Sequence, residues 1–407
     1  MFKSKSAKAV VTLVVGLLFW LTAILMKSHE GKDHLRALVE YRLFDGSKFV
    51  ENAKQDAKIT PSTMFLTSNS SRTSQTGKSK KNKLILCIDG GVHWLTSRLH
   101  FDGCEYSNCD LIYRQDNLDY ALQADALIFF QRSAYSLLNI SREVRQRQLW
   151  FAMTMESPSY QWNRYPSIVN TFNGSMTYER NSVPDQLAYG RSEETAKELP
   201  TFINYAKNKT KGAYAYVSNC YSKEYNRLKL MKELRQYINV DIFGECTNIK
   251  PCPTKFDLKC EAKVHSQYRF YLAFENSLCR DYITEKFWKT YKNEAHIIPV
   301  AVGGLSVQEY IDVAPPDSFI HVYNFSSVET LGNYLKRLMT DDAAFNRYHE
   351  WRNNYSVTLP DKRQMCGLCK AVNEPESIKS EQGRKFADER LYERSCKNID
   401  HLLAKSN

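Results

Sequence analysis

Short apolar runs, spaced by helix-length amphipathic segments, constrain the fold of this chain more than any other feature. After residue 202 the runs 213–218 (AYAYVS), 240–243 (VDIF), 270–274 (FYLAF), 297–302 (IIPVAV) and 319–322 read as strands. Helices are predicted between them over 225–238, 281–291 and 327–339. In the first of these, Leu228, Leu230, Met231, Leu234 and Ile238 recur at helical spacing. Earlier, 84–88 (LILCI), 126–130 (ALIFF) and 149–155 (LWFAMTM) also read as buried strands. Alternating β and α units predict an α/β protein with parallel sheets, whose ligands bind outside the carboxyl ends of the strands. Two such units in series, 83–205 and 206–360, would face each other across a cleft, followed by a C-terminal tail, 361–407.

The N-terminal fifth is of another kind. Residues 9–26 (AVVTLVVGLLFWLTAILM) carry no charge and as a helix would span roughly 27 Å, the thickness of a bilayer's hydrocarbon core. Lys3, Lys5 and Lys8 precede them, which predicts a cytoplasmic tail at 1–8, a single transmembrane signal anchor at 9–26 and a lumenal body. Residues 27–82 read as a stem. Leu35, Leu38, Val39 and Leu43 suit one amphipathic helix there, a possible homodimer contact, and 67–83 is a polar, basic linker. Of the net charge of +11, residues 1–83 contribute +9 (15 Lys+Arg against 6 Asp+Glu) and the remainder only +2 (41 against 39). That near-neutral body argues against a nucleic-acid partner.

All 11 cysteines follow the anchor, in a compartment where disulfides persist. The odd count leaves one unpaired or bridging another chain. Cys366 and Cys369 form a C-x-x-C with no second half to complete a zinc set, and predict a structural disulfide. Glycosylation triplets begin at Asn69, Asn139, Asn173, Asn208, Asn324 and Asn354.

The chemistry concentrates in 268–304. A strand ends at Phe274, Glu275, Asn276 and Ser277 follow, and a helix is expected to open at Asp281 as its cap. Tyr282, Glu285 and Lys286 then fall in its first two turns. A helix start with an added lysine attracts anions and suits a diphosphate, and Glu285 can accept from sugar hydroxyls. From spacing alone a capped surface helix with a Glu–Lys pair reads equally well.

FYLAFENSLCRDYITEKFW, followed by IIPVAVGG, closely resembles the donor-binding signature of the α1,3/α1,4-fucosyltransferases. Further likenesses are Met155-Glu156-Ser157-Pro158, Val217-Ser218-Asn219 with Arg227, Leu234 and VDIFGEC, Ala124-Asp125-Ala126, Tyr178-Glu179-Arg180, the Cys104/Cys109 pair and Ser318-Phe319-Ile320-His321-Val322. They cover about residues 83–370. The resemblance implies two Rossmann-like domains of the GT-B type in a Golgi membrane enzyme that uses GDP-β-L-fucose and inverts the anomeric centre. It implies that Glu156 is the base, its pKa raised by partial burial, that Arg227 and Lys286 hold the diphosphate, that Asn276 and Tyr282 touch the donor, and that Glu285 holds the ribose. It implies transfer of fucose to a GlcNAc hydroxyl of a glycoprotein or glycolipid glycan. No D-x-D occurs and no obligate metal is implied, although Mn²⁺ stimulates some relatives. Departures concern the acceptor. Phe130-Gln131-Arg132-Ser133 stands where Lewis-type enzymes often have His-His-Arg-Glu, and Gly174 where many have Trp. The N-glycan core, an outer branch and an α1,4 linkage stay open. A catalytically silent glycan-binding relative and a transferase for another nucleotide sugar are the competing readings.

Overall fold

The computed structural model describes residues 82–88, 99–113, 118–130, 146–160, 172–196, 203–222, 224–253, 257–292, 296–359, 363–378 and 396. The anchor at 9–26, the stem up to residue 81, Asn69, Asn139 and residues 131–133 lie outside them.

In chain order the first half contributes β1 (Lys83–Ile88), β2 (Leu99–His100), β3 (Cys109–Tyr113), α1 (Leu118–Gln123), β4 (Ala126–Phe130), β5 (Leu149–Met153), β6 (Gly174–Met176) and β7 (Arg191–Glu194). The second contributes β8 (Lys211–Tyr216), α2 (Arg227–Leu234), β9 (Val240–Phe243), α3 (Leu258–His265), β10 (Tyr268–Phe274), α4 (Glu285–Lys292), β11 (Ile298–Val302), α5 (Val307–Ile311), β12 (Ile320–His321), α6 (Val328–Leu338) and α7 (Asp342–Arg347). The chain continues through β13 (Tyr355–Thr358), β14 (Arg363–Gln364) and α8 (Cys366–Asn373).

Two five-stranded parallel sheets result, ordered β3-β1-β4-β5-β6 and β12-β11-β10-β8-β9. Counted from the first strand of each sheet, both follow the same doubly wound order, 2-1-3-4-5. The order reverses between β1 and β4 in one sheet and between β8 and β10 in the other, and a ligand crevice forms beyond the carboxyl ends at such a point. Apolar cover on both faces explains why the strands are continuous apolar runs: every residue of β10 and β11 is buried. Alternate residues feed opposite cores. Ile85, Ala126, Ile128 and Phe151 pack on one face of the first sheet, and Leu86, Leu127, Phe129 and Trp150 on the other. In the second sheet Ala213, Phe270, Leu272 and Val300 meet α2 and α6, while Tyr214, Tyr268, Tyr271 and Ala301 meet α3 and α4.

The segment expected as a tail is part of the first half. β14 pairs with β2, and Met365, Leu368, Cys369, Ala371 and Val372 enter the core of the first sheet. Cys366 and Cys369 are in disulfides, but not with each other: they bind Cys104 and Cys109. A helix holds the C-x-x-C, and its two sulfurs face the loop of the C-x4-C pair. Cys220–Cys246, Cys252–Cys260 and Cys279–Cys396 complete the described bridges. The odd cysteine, Cys87, is buried in β1 and out of reach of another chain. The predicted strand at 319–322 is shorter, since 322–324 form a 3-10 turn. Asn208, Asn324 and Asn354 are exposed. Asn173 is partly buried and accepts at Oδ1 from the Trp150 N–H at 2.8 Å.

Candidate functional site

The carboxyl ends of β8 and β10 hold one buried guanidinium between them. Arg227 opens α2 behind its cap Asn226, whose side chain accepts from the Lys229 N–H at 2.9 Å. Its side chain runs inward and is 2% exposed. Nη1 donates to the Phe274 carbonyl at 3.2 Å, Nη2 donates to the Asn219 carbonyl, and buried Nε has no partner. Arg227 thus spans the reversal point of the second sheet. Asn276, two residues past β10, stands beside it with a buried and unpartnered Oδ1.

The helix that follows opens later than the sequence suggests. Asp281 does not cap it, because α4 starts at Glu285. Asp281 adopts φ +59° in the preceding turn, where its carboxylate accepts from Arg180 Nε at 2.8 Å and from the Arg180 N–H at 3.2 Å. Thr284 occupies the capping position, with its carbonyl accepting from the N–H of Phe287 and Trp288 at 3.1 and 3.3 Å. Tyr282 therefore precedes the helix instead of lying in its first turn.

Glu275 is the residue that sequence reasoning named without assigning a role. It is 0% exposed. Its carboxylate accepts from the Thr284 N–H at 2.7 Å and from Thr284 Oγ1 at 2.8 and 3.0 Å, and lies 3.4 Å from Lys286 Nζ. The usable signal was an acid directly after a strand whose last five residues, FYLAF, carry no charge. Burial pushes the Glu275 carboxyl up, and the Lys286 ammonium opposes that. Lys286 also donates to Thr284 Oγ1 at 3.0 Å and lies 3.3 Å from Glu285 Oε1. Burial alone would lower its pKa, but Glu275 and Glu285 outweigh it and hold the ammonium above its ordinary value. Glu285 is exposed.

The first half meets this assembly through the loop after β5. Glu156 lies there, exposed, so the partial burial expected of it is not present. The Tyr282 hydroxyl donates to Glu156 Oε2 at 3.4 Å. Burial, then Tyr189 and Glu156, raise the Tyr282 pKa far above its ordinary value, which keeps the phenol a donor. Its ring packs edge-on against Tyr178 and Tyr189 at 4.9 and 6.4 Å between centroids. Ser157 and Ser277 bond across the same seam, and Tyr160 donates to the Asn276 carbonyl at 3.3 Å. The structure thus links Glu156 to Tyr282 directly and places Lys286 and Glu285 one helical turn further on. Arg227 and Asn276 stand at the neighbouring strand ends.

Two domain models match the sequence: "Fucosyltransferase, N-terminal" over residues 80–185 and "Glycosyltransferase family 10 (fucosyltransferase) C-term" over residues 206–386. The chain is 32% identical over 278 residues to glycoprotein 3-alpha-L-fucosyltransferase A of Drosophila melanogaster, covering 68% of this chain and 53% of that protein. It therefore spans about half the length of that relative. It is 32% identical over 289 residues to alpha-(1,3)-fucosyltransferase 7 of Rattus norvegicus, covering 68% of this chain and 73% of that one. A crystal structure of an alpha1,3-fucosyltransferase aligns with 76% of this chain and 95% of its own, at 18% identity and a TM-score of 0.47. With both domain models matched in order over most of its folded body, the chain belongs to the fucosyltransferases of glycosyltransferase family 10.

Proposed function

We propose that this chain is an inverting α1,3-fucosyltransferase. It moves L-fucose from GDP-β-L-fucose to a GlcNAc hydroxyl of a glycan in the Golgi lumen, held there by the apolar segment 9–26. Glu156 takes the proton from the acceptor hydroxyl as the new bond forms at the anomeric carbon and the bond to the β-phosphate oxygen breaks. Tyr282 fixes the carboxylate through its 3.4 Å hydrogen bond. The departing GDP gains negative charge, which Lys286, the N–H groups at the start of α4 and Arg227 stabilise. Asn276 contacts the donor, and Glu285 holds the ribose hydroxyls. Positive charge from the protein itself serves the leaving group, so the transfer does not depend on a metal, and added Mn²⁺ acts at most as a stimulant.

The observation that supports this reading is the Tyr282–Glu156 hydrogen bond, with the Glu156 carboxylate on one side of a seam and Lys286 at the start of α4 on the other. The test incubates the full chain with labelled GDP-fucose and a panel of N-glycan core and outer-branch acceptors, with linkage read by mass spectrometry. Glu156→Gln is expected to lower kcat by about a thousandfold with little change in donor KM. Unchanged turnover in that variant would remove Glu156 from the reaction. GDP binding by a folded wild-type chain, without transfer to any acceptor, would replace the enzyme by a glycan-binding relative.

A further inference from the structure

The groups best placed to grip a diphosphate already hold an internal anion. Glu275 receives the Thr284 N–H, the Thr284 hydroxyl and the Lys286 ammonium, and it is shut away from solvent. Other charged and titratable groups stand around it. Glu285 shares Lys286 with it. Tyr225 donates to its main-chain carbonyl at 2.6 Å. Tyr282, from the turn before α4, and Tyr310, from α5, interact with it electrostatically, and Arg227 approaches from α2 with its own bond to the Phe274 carbonyl.

We infer that Glu275 is the counter-anion of the donor site, a positioning residue that holds Lys286 and Thr284 ready while weakening the grip on the nucleotide. The inference rests on the donor reading above. Glu275 and Glu285 offset the charges of Lys286 and Arg227, so the ionised site carries no net positive charge. An incoming diphosphate must share Lys286 with two carboxylates and sits against a charge that water cannot screen. Such a site binds GDP less tightly than its cations suggest, which favours product release over retention. A plain structural brace makes the opposite prediction, because removing a brace loosens the site.

Calorimetric titration of GDP and of guanosine into the full chain separates the two. Glu275→Gln keeps the shape and, at its amide oxygen, the bond from the Thr284 N–H, but removes the charge. It is expected to tighten GDP about tenfold and to leave guanosine unchanged. Unchanged or weaker GDP binding by this variant overturns the inference. A second comparison holds should that variant fold poorly. Lys286→Met strands the Glu275 carboxylate and is expected to weaken GDP binding by at least about a hundredfold, still within reach of a competition titration. The double variant Glu275→Gln/Lys286→Met exchanges a buried ion pair for neutral groups, a change that folds often tolerate. It should bind GDP at least about tenfold better than Lys286→Met alone. A double variant no better than the single one overturns the inference. A wild-type chain that binds no GDP overturns the donor reading itself, an outcome distinct from wild-type binding with no gain in either comparison.

Discussion

The two sheets share a strand order but are closed by different means. The second sheet and its helices come from one continuous stretch, and its two faces bury large clusters, one of them rich in aromatic rings. The first sheet lacks part of its cover until the chain returns from the far side of the second. α8 supplies that cover, and Cys104–Cys366 and Cys109–Cys369 fasten it across sequence separations of 262 and 260. Equal topology therefore does not mean equal autonomy. The second half is held by local contacts, and the half that carries Glu156 depends on a closure that spans the whole folded body.

Breaking that closure should have the largest effect. Cross-linking a loop of this length restricts the unfolded chain by about 5 kcal/mol in the loop-entropy treatment, and nested bridges share rather than double this gain. The Cys366→Ser/Cys369→Ser pair is expected to lose several kcal/mol, of that order, with the loss confined to the first half. Limited proteolysis should then release fragments from residues 99–130 while 206–359 stays protected. Uniform cleavage of both halves would show that the two fold as one unit and would end the comparison.

The difference also governs what was legible from sequence. β10 and β11 were readable because strands covered on both faces leave unbroken apolar runs. The helix expected over 327–339 is α6, and the structure adds a reciprocal cap between Ser327 and Thr330 at its start. The role of α8 was not, since nothing near Cys366 in sequence reveals β2 or the loop of Cys104. The start of α4 was misplaced by a local signal that tertiary structure overrode: Asp281 suits a cap, but Arg180 from the other half engages its carboxylate. Asn276, Tyr282, Glu285 and Lys286 were named through a long motif and Glu156 and Arg227 through shorter likenesses, whereas the Glu275 role needed the fold. An acid closing a buried strand gains its meaning only from the lysine and threonine that α4 brings back to it.

A pH experiment probes the seam between the halves with a smaller effect. Glu179 of the first half is partly buried, and its pKa is pushed up to about 7, by burial first and then by Asp281 of the second half, with Arg280 opposing. A raised carboxyl favours the protonated folded state. Its stabilising contribution is complete below the unfolded value near 4.5 and is lost as pH rises through about 7. Glu179→Gln cannot ionise, so it should exceed the wild type by roughly 3 kcal/mol at pH 8 and converge with it toward pH 4.5. Denaturant melts at both pH values measure this. A gap that does not depend on pH would show that the folded chain does not hold the Glu179 carboxyl above its ordinary value.

The smallest expected effect belongs to Arg180→Ala. Its ion pair with Asp281 joins the halves at 2.8 Å, but the arginine side chain is 40% exposed. Solvent screens such a pair, so its loss should cost less than about 1 kcal/mol of stability. Its effect on turnover should be larger than that figure implies. Asp281 holds a left-handed backbone conformation, with φ +59°, in the turn that delivers Tyr282 to Glu156. Releasing its carboxylate gives the turn another way to relax that strain. The expected signature is a kcat decrease of about tenfold, with donor KM within about twofold of wild type and an almost unchanged melting temperature. If kcat instead holds while the melting temperature falls, the contact is a fastener between two halves and has no part in aiming the base.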